Sequence, residues 1–182
     1  MKVSRKQVQQ NRQRILEAAA RLFRERGLNA VSVAEVMNAA GLTHGGFYGH
    51  FDSKEALILE ALAHQRSARW RKRADAGDMA DYIDAYLSTD HRDDPGGGCP
   101  VAGLSSAGAQ ASADVRATLT RTIEREVDRF SAAAHGAPAQ RRRAAIAAYA
   151  AMVGAVVLSR IVDDQKLSQE ILAATRKSIA LA

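Results

Sequence analysis

Apolar residues recur along this chain at helical spacing, and strand formers are not grouped into runs that alternate with polar residues. Over residues 12–26, Ile15, Ala18, Ala19, Leu22 and Phe23 keep one face apolar, and Gly27 is suited to end that helix. A basic arm carrying Lys2, Arg5 and Lys6 precedes it and is expected to be disordered on its own, either reaching phosphates or a minor groove or serving as a tail with no role. Val33, Val36, Met37 and Ala40 then fall at i, i+3, i+4 and i+7, which predicts a short helix. Ser32 and Glu35 stand at capping-box spacing, and Val31 and Val36 at the two positions of a hydrophobic staple. Gly41 suits the left-handed residue that closes the helix, Leu42 plugs the corner, and Thr43 can cap a second helix. In that second helix Phe47 and Phe51, four residues apart, face inward. Thr43, His44, Gly45, Gly46, Tyr48 and His50 are left pointing outward. Helix, tight turn and a second helix poor in packing side chains describe an element that lays its second helix in a DNA major groove.

The remaining pattern is also helical. A helix is expected from about Ser53 to Ala76, ending in the cations Arg66, Arg69, Arg71, Lys72 and Arg73. Lys54 sits at its other end, about 28 Å away at about 1.5 Å per residue, so the distant cations are read as solvated rather than DNA-bound. A short helix over Met79 to Leu87 leads to a loop from His91 to Gly98 whose glycines suggest mobility. Cys99 stands just before Pro100, a favoured first helical residue, and a helix of small residues runs on through Ala111. Val115, Leu119, Ile123, Val127 and Phe130 form a stripe on a helix over about Asp114 to Ala134, and Gly136, Ala137 and Pro138 break the chain. Two last helices are expected, over residues 140–162 and 167–181. The first is apolar nearly all round, through Ile146, Tyr149, Met152, Val153, Val156 and Val157, so it is either sandwiched in the core or shared with a second subunit. The fold class is therefore all-α. A three-helix DNA-binding head occupies residues 1–52 and a helical body residues 53–182, with the helix over 53–76 linking the two.

Charge sharpens this division. Residues 1–73 hold 14 Lys and Arg against 6 Asp and Glu, whereas the remainder holds 12 against 14. A basic first third on a near-neutral rest is the electrostatic footprint of a DNA-binding head. The lone Cys99 excludes an internal disulfide and fits a reducing cytoplasm. No apolar segment follows the basic N-terminus, so no signal peptide is expected. The longest uncharged run, Ala144 to Ser159, falls short of the roughly 20 residues that span a bilayer, so no membrane partner is expected. Phosphate-cradling loops, paired carboxylates and metal-spaced Cys/His clusters are missing from the sequence, which argues against an enzyme and implies neither metal nor cofactor.

Residues Val33 to Leu57 resemble the TetR/AcrR-type transcriptional regulators. The likeness rests on the helix-turn-helix, the run Phe47-Tyr48-Gly49-His50-Phe51, and Ser53-Lys54-Glu55-Ala56-Leu57 opening the next helix. It implies that Ser32, Thr43, His44, Gly45, Gly46, Tyr48, His50 and Lys54 form the DNA-binding set. Thr43 and Tyr48 would bond phosphates, His44 and His50 base edges or backbone, and Lys54 a phosphate at its helix start. Gly46 and Gly49 stand where the family commonly places side chains that reach bases, so direct readout is sparse and groove shape carries more of the specificity.

The resemblance further implies a repressor acting as a homodimer on a near-palindromic operator, its subunits joined through helices 140–162 and 167–181. A small-molecule effector would bind in the body, with Trp70, Tyr82, Tyr86, Phe130, Tyr149 and Met152 as candidate pocket walls. Aromatic and Met side chains at helical spacing also fit plain core. Cys99 is the candidate sensor of oxidants or electrophiles, since a helix start and the nearby His91 and Arg92 favour a thiolate. Its bland alternative is an inert buried capping residue. Two other classes compete: an effector-free architectural DNA binder, and an enzyme using Cys99 with His91, which lacks a recognisable triad.

Overall fold

Ser4 starts the first helix. Its side-chain oxygen accepts a hydrogen bond from the Gln7 amide at 3.2 Å, and α1 runs Arg5–Arg26. The structure, a computed structural model, describes residues 4–63 and 78–179. The expected start at residue 12 came from the apolar stripe, but a cap and a run of Gln, Arg and Lys, all good helix formers, carry the helix seven residues further back. Arg5 and Lys6 are therefore helical rather than part of a free arm, and Lys2 lies outside the described residues.

The short helix α2, Val33–Ala39, has both bonds of its capping box: Glu35 N to Ser32 Oγ at 3.2 Å and Ser32 N to Glu35 Oε2 at 2.8 Å. Gly27 and Gly41 end α1 and the helix-turn-helix corner with φ of 85° and 68°, a region costly for any residue with a Cβ. α3, Lys54–Ala63, is capped by Ser53, whose Oγ accepts from the Ala56 amide at 3.0 Å. The expected continuation to Ala76, with its cations and Trp70, lies outside the described residues.

One core fills the head: Ile15, Ala19 and Phe23 of α1, Val36 and Met37 of α2, Phe47 and Phe51, and Leu57, Ile58 and Ala61 of α3. Leu104 and Val115 of the body join the same cluster, so head and body share buried surface.

After the described part of α3 the chain continues with α4, Met79–Tyr86, and α5, Thr89–Asp93, capped by Asp78 and Ser88 respectively. The segment expected to be a mobile loop from His91 is thus partly helical, and His91 is 2% exposed. Its glycines are tied in place. Gly96 O accepts from Arg24 Nε at 2.6 Å, Gly97 N donates to Asp94 Oδ1 at 3.0 Å, and Gly98 N to Pro95 O at 3.3 Å.

The single helix expected through Ala111 is two pieces, α6 (Pro100–Gly103) and α7 (Ser105–Ala109). They part at Leu104, which turns inward to join the head's core. On α8, Ala113–Ala133, Val115, Val127 and Phe130 are buried as expected. Ile123 is not. Val115 and Leu119 pack on the head's cluster and Val127 and Phe130 on the second, and Ile123 lies between the two. Thr118 and Thr122 take the inward positions instead, and each hydroxyl bonds the carbonyl four residues back, at 3.0 and 3.1 Å.

Gly136 and Pro138 turn the chain into α9, Pro138–Ile161, which packs between α8 and α10, Gln165–Ser178. By length and composition alone α9 could cross a bilayer, a test that the core helix of a soluble protein also passes. Its inner side, Ala145, Ala148, Met152, Ala155 and Val156, belongs to the second core.

Candidate nucleic-acid interface

The element after Gly41 is a six-residue 3-10 helix, His44–Gly49, rather than an α-helix. Glycines at 45, 46 and 49 give it little helix propensity, and the tighter winding suits such short pieces. The turn is held by Gly46 N to Thr43 O at 3.1 Å, His50 N to Phe47 O at 2.9 Å and Phe51 N to Phe47 O at 3.1 Å. Thr43 stands at the N-cap position, but its side chain makes no capping bond. The residue is exposed.

Phe47 anchors the element. It is fully buried, stacks on Phe51 at 5.8 Å between ring centroids, and meets the Tyr48 ring edge-on at 5.2 Å. These contacts turn Tyr48 outward, where it is 73% exposed. Thr43, His44, Gly45 and Gly46 are exposed as expected, as is Ser32, and a Cβ at Gly45 or Gly49 would meet nothing within 4 Å. Lys54 stands half-buried at the start of α3. His50 departs from the expectation of an outward side chain: it is half-buried, and its Nδ1 is buried without a hydrogen-bond partner among the described residues. At three residues per turn, His50 falls on the same side as buried Phe47.

A residue that sequence reasoning passed over supports this surface. The Arg12 guanidinium lies 4.6 Å above the Phe51 ring and bonds Glu60 at 2.7 Å, tying α1, the recognition element and α3 together. Its place on the polar side of α1 gave no sign of this, because the partners are about 40 to 50 residues away in sequence.

Glu35 fastens the other end. The Ser32 backbone amide, then the Ser32 hydroxyl, then Arg26 at 2.7 Å hold its carboxyl down at about 2. A carboxyl whose folded pKa lies below its ordinary 4.5 adds stability that is complete above 4.5 and disappears as the pH falls through about 2. Thermal unfolding of the wild type and Glu35→Gln is therefore expected to differ near neutrality and to converge toward pH 2. Parallel curves over that range would remove the assignment.

The candidate effector residues come together in the body's core. Tyr82, Tyr86, Phe130, Tyr149 and Met152 share it with Cys99, whereas Trp70 lies outside the described residues. Tyr82 meets Tyr86 at 6.1 Å and Phe130 at 5.8 Å between ring centroids. Burial, then the neighbouring Cys99, pushes the Tyr86 and Tyr149 hydroxyls well above the ordinary phenol range. Cys99 is 1% exposed; its Sγ lies 3.7 Å from the Tyr149 hydroxyl, and its amide donates to His91 Nε2 at 3.0 Å. His91 Nδ1 lies 2.7 Å from Tyr86 O, so with Nε2 accepting from Cys99 it is Nδ1 that donates there. Arg92, the other cation expected beside the thiol, turns instead to Asp93 at 2.7 Å and Ser168 at 3.0 Å.

A basic three-helix head that exposes hydroxyls, imidazole and bare backbone on one short helix, set on an all-helical body, defines a helix-turn-helix regulatory protein. Residues 15–61 match the family model for bacterial regulatory proteins of the tetR family. An uncharacterized HTH-type transcriptional regulator of Mycobacterium tuberculosis is 31% identical over 170 residues, spanning 84% of this chain and 86% of that protein. This chain belongs to the TetR family.

The HTH-type transcriptional repressor KstR2 of Rhodococcus jostii is 49% identical over 51 residues, 28% of this chain. The match spans 25% of KstR2's own length. A TetR-family regulator from Cytophaga hutchinsonii superposes with a TM-score of 0.75 at 20% identity, over 98% of this chain and 96% of that one. The reduced form of NemR from E. coli does so with a TM-score of 0.71 at 23% identity, over 94% and 98%. Both likenesses are of fold. The named relatives and neighbours are regulators, not enzymes.

Proposed function

We propose that this protein is a cytoplasmic transcriptional repressor that binds a near-palindromic operator as a homodimer and is released by a small molecule, oxidant or electrophile acting on its body. The observation that carries the reading is the exposed row Thr43, His44, Gly45, Gly46 and Tyr48 on a helix anchored from beneath by Phe47, with Lys54 beside it. Hydroxyls and the lysine fix register on phosphates, His44 reads a base edge, and the bare glycines let backbone and groove wall approach.

The dimer reading is supported by α9 and α10. Ile146, Leu158 and Ile161 of α9 and Leu167 of α10 are 48%, 53%, 72% and 44% exposed. A Cβ on Gly154 would meet nothing within 4 Å, and Ala147, Ala150 and Ala151 are exposed beside it. Small and aliphatic side chains on two adjacent helices suit close packing against the same face of a second copy.

The effector reading rests on the buried aromatic cluster around Cys99. A ligand or a modified thiol there would have to displace side chains that also hold His91 and the segment bonded to Arg24 of α1.

Selection of bound duplexes from a random pool supplies the operator for the test. Lys54→Ala and Tyr48→Phe are expected to weaken binding to all sequences, and Lys54→Ala to flatten the salt dependence by about one in log–log slope per head. His44→Ala is expected to lose about 1–3 kcal/mol of discrimination at a single base pair. Variants that bind operator like the wild type would remove the assignment. Release of operator by candidate effectors or mild oxidant, with a ligand-induced thermal shift, separates a regulated repressor from an effector-free binder.

A further inference from the structure

We infer that the N-terminal half of α1 forms a second DNA contact, a phosphate-tracking shoulder built by Lys6, Gln10 and Arg14, and this rests on the DNA-binding reading above. The three residues follow one another at i, i+4 and i+8, so they line one side of the helix. With Gln7, Gln9 and Gln13 they border an open groove of about 600 Å³. Among the described residues its border is Lys, Arg and Gln, whose side-chain ends can donate to phosphate oxygens.

Charge points the same way. Residues 4–16 contain Arg5, Lys6, Arg12 and Arg14 and no acidic residue. Arg12 is committed to Glu60 and Phe51. Arg14 and Lys6 are exposed, and neither has an acidic partner among the described residues.

Arg14 brings the row up to the corner of the helix-turn-helix. The Arg14 guanidinium lies over Gly41, where a Cβ would come within 2.6 Å of its Nη2, and Thr43 follows two residues later. From Arg14 the row leads back about 12 Å along the helix to Lys6. Duplex phosphates on one strand advance about 3.4 Å along the axis per nucleotide, so the row reaches phosphates beyond those gripped at the recognition helix. Its two cations and the Gln10 amide can bond phosphate oxygens along a strand. The shoulder supplies affinity and register to any sequence, which offsets a recognition helix with few base-reading side chains.

The test uses the full-length protein, its selected operator and a scrambled duplex, titrated between about 50 and 200 mM salt. Lys6→Ala/Arg14→Ala is expected to lower the log–log salt slope by about two per head on both duplexes and to leave the preferred sequence unchanged. The loss of affinity across that salt range then shrinks about ten-fold per head. A charge-matched control, Arg21→Ala/Arg116→Ala, removes two exposed cations elsewhere and is expected to keep the wild-type slope. If the control flattens the slope as much as the shoulder variant, bulk charge explains the effect and the proposal fails. If the shoulder variant keeps the wild-type slope while Lys54→Ala still flattens it, the shoulder is wrong and the recognition helix stands. Failure of the wild type to bind any duplex overturns both. Unfolding curves that superpose on the wild type show that neither double variant acts through folding.

Discussion

A Leu158→Glu/Ile161→Glu variant is expected to sediment as a monomer at micromolar concentration and to bind operator more than about 100-fold more weakly than the wild type. Leu158 and Ile161 are more than half exposed in the single chain, so their replacement removes little packing from the subunit itself. In an interface each fully buried Leu or Ile contributes about 1.5–3 kcal/mol, and a carboxylate in its place carries a desolvation penalty that nothing across the interface offsets. A single head then meets a half-site alone. Two linked heads gain a second binding event at high effective concentration, worth about 10²–10⁴ in affinity, and require half-sites about 34–36 Å apart. Far-ultraviolet dichroism of the variant is expected to match the wild type in shape, which separates lost association from lost folding. If the variant remains dimeric, or binds operator undiminished as a monomer, the α9–α10 interface is wrong.

Phe47→Ala is expected to unfold the head rather than merely to weaken DNA contact. The side chain is fully buried between α2 and α3 and carries the stack on Phe51 and the edge contact to Tyr48. Truncating a buried Phe costs about 3–5 kcal/mol in lost transfer energy and cavity formation, a large share of the about 5–15 kcal/mol that holds a typical domain. Three glycines in the six-residue recognition helix leave it little stability of its own, so it depends on this anchor. Urea unfolding is expected to show a midpoint well below that of the wild type, and operator binding is expected to vanish with it. Tyr48→Ala is the contrasting case, since that ring is mostly exposed and its loss is expected to reduce DNA affinity while sparing stability. Equal midpoints for the two variants would show that the recognition helix does not rest on Phe47.

The head was largely legible from residue order because its determinants are local. A capping box needs only Ser32 and Glu35 at the right spacing, a corner needs Gly41, and the inward pair Phe47 and Phe51 lies within one helical step. Such features depend on neighbours three or four residues away, which spacing records directly. Where the reading went astray inside the head, the cause was a subtler balance. The glycines tipped the second helix into 3-10 form, and that winding drew His50 half inward beside Phe47.

In the body the distances in sequence are long, and the pattern misled more often. His91 reads as part of a polar, glycine-rich loop, yet it is buried because Tyr86 O and the Cys99 amide use both of its nitrogens. Leu104 parts α6 from α7, and the head's core takes its side chain. Ile123 fits the stripe but rotates outward, while Thr118 and Thr122 enter the core with their hydroxyls satisfied by their own helix. Helical class, head, turn and charge division come from short-range spacing and composition, which any conformation of the chain carries. Which thiol is buried, which arginine braces Phe51 and which helix faces stay open for a partner depend on groups that meet only after folding, because burial is a property of the assembled surface.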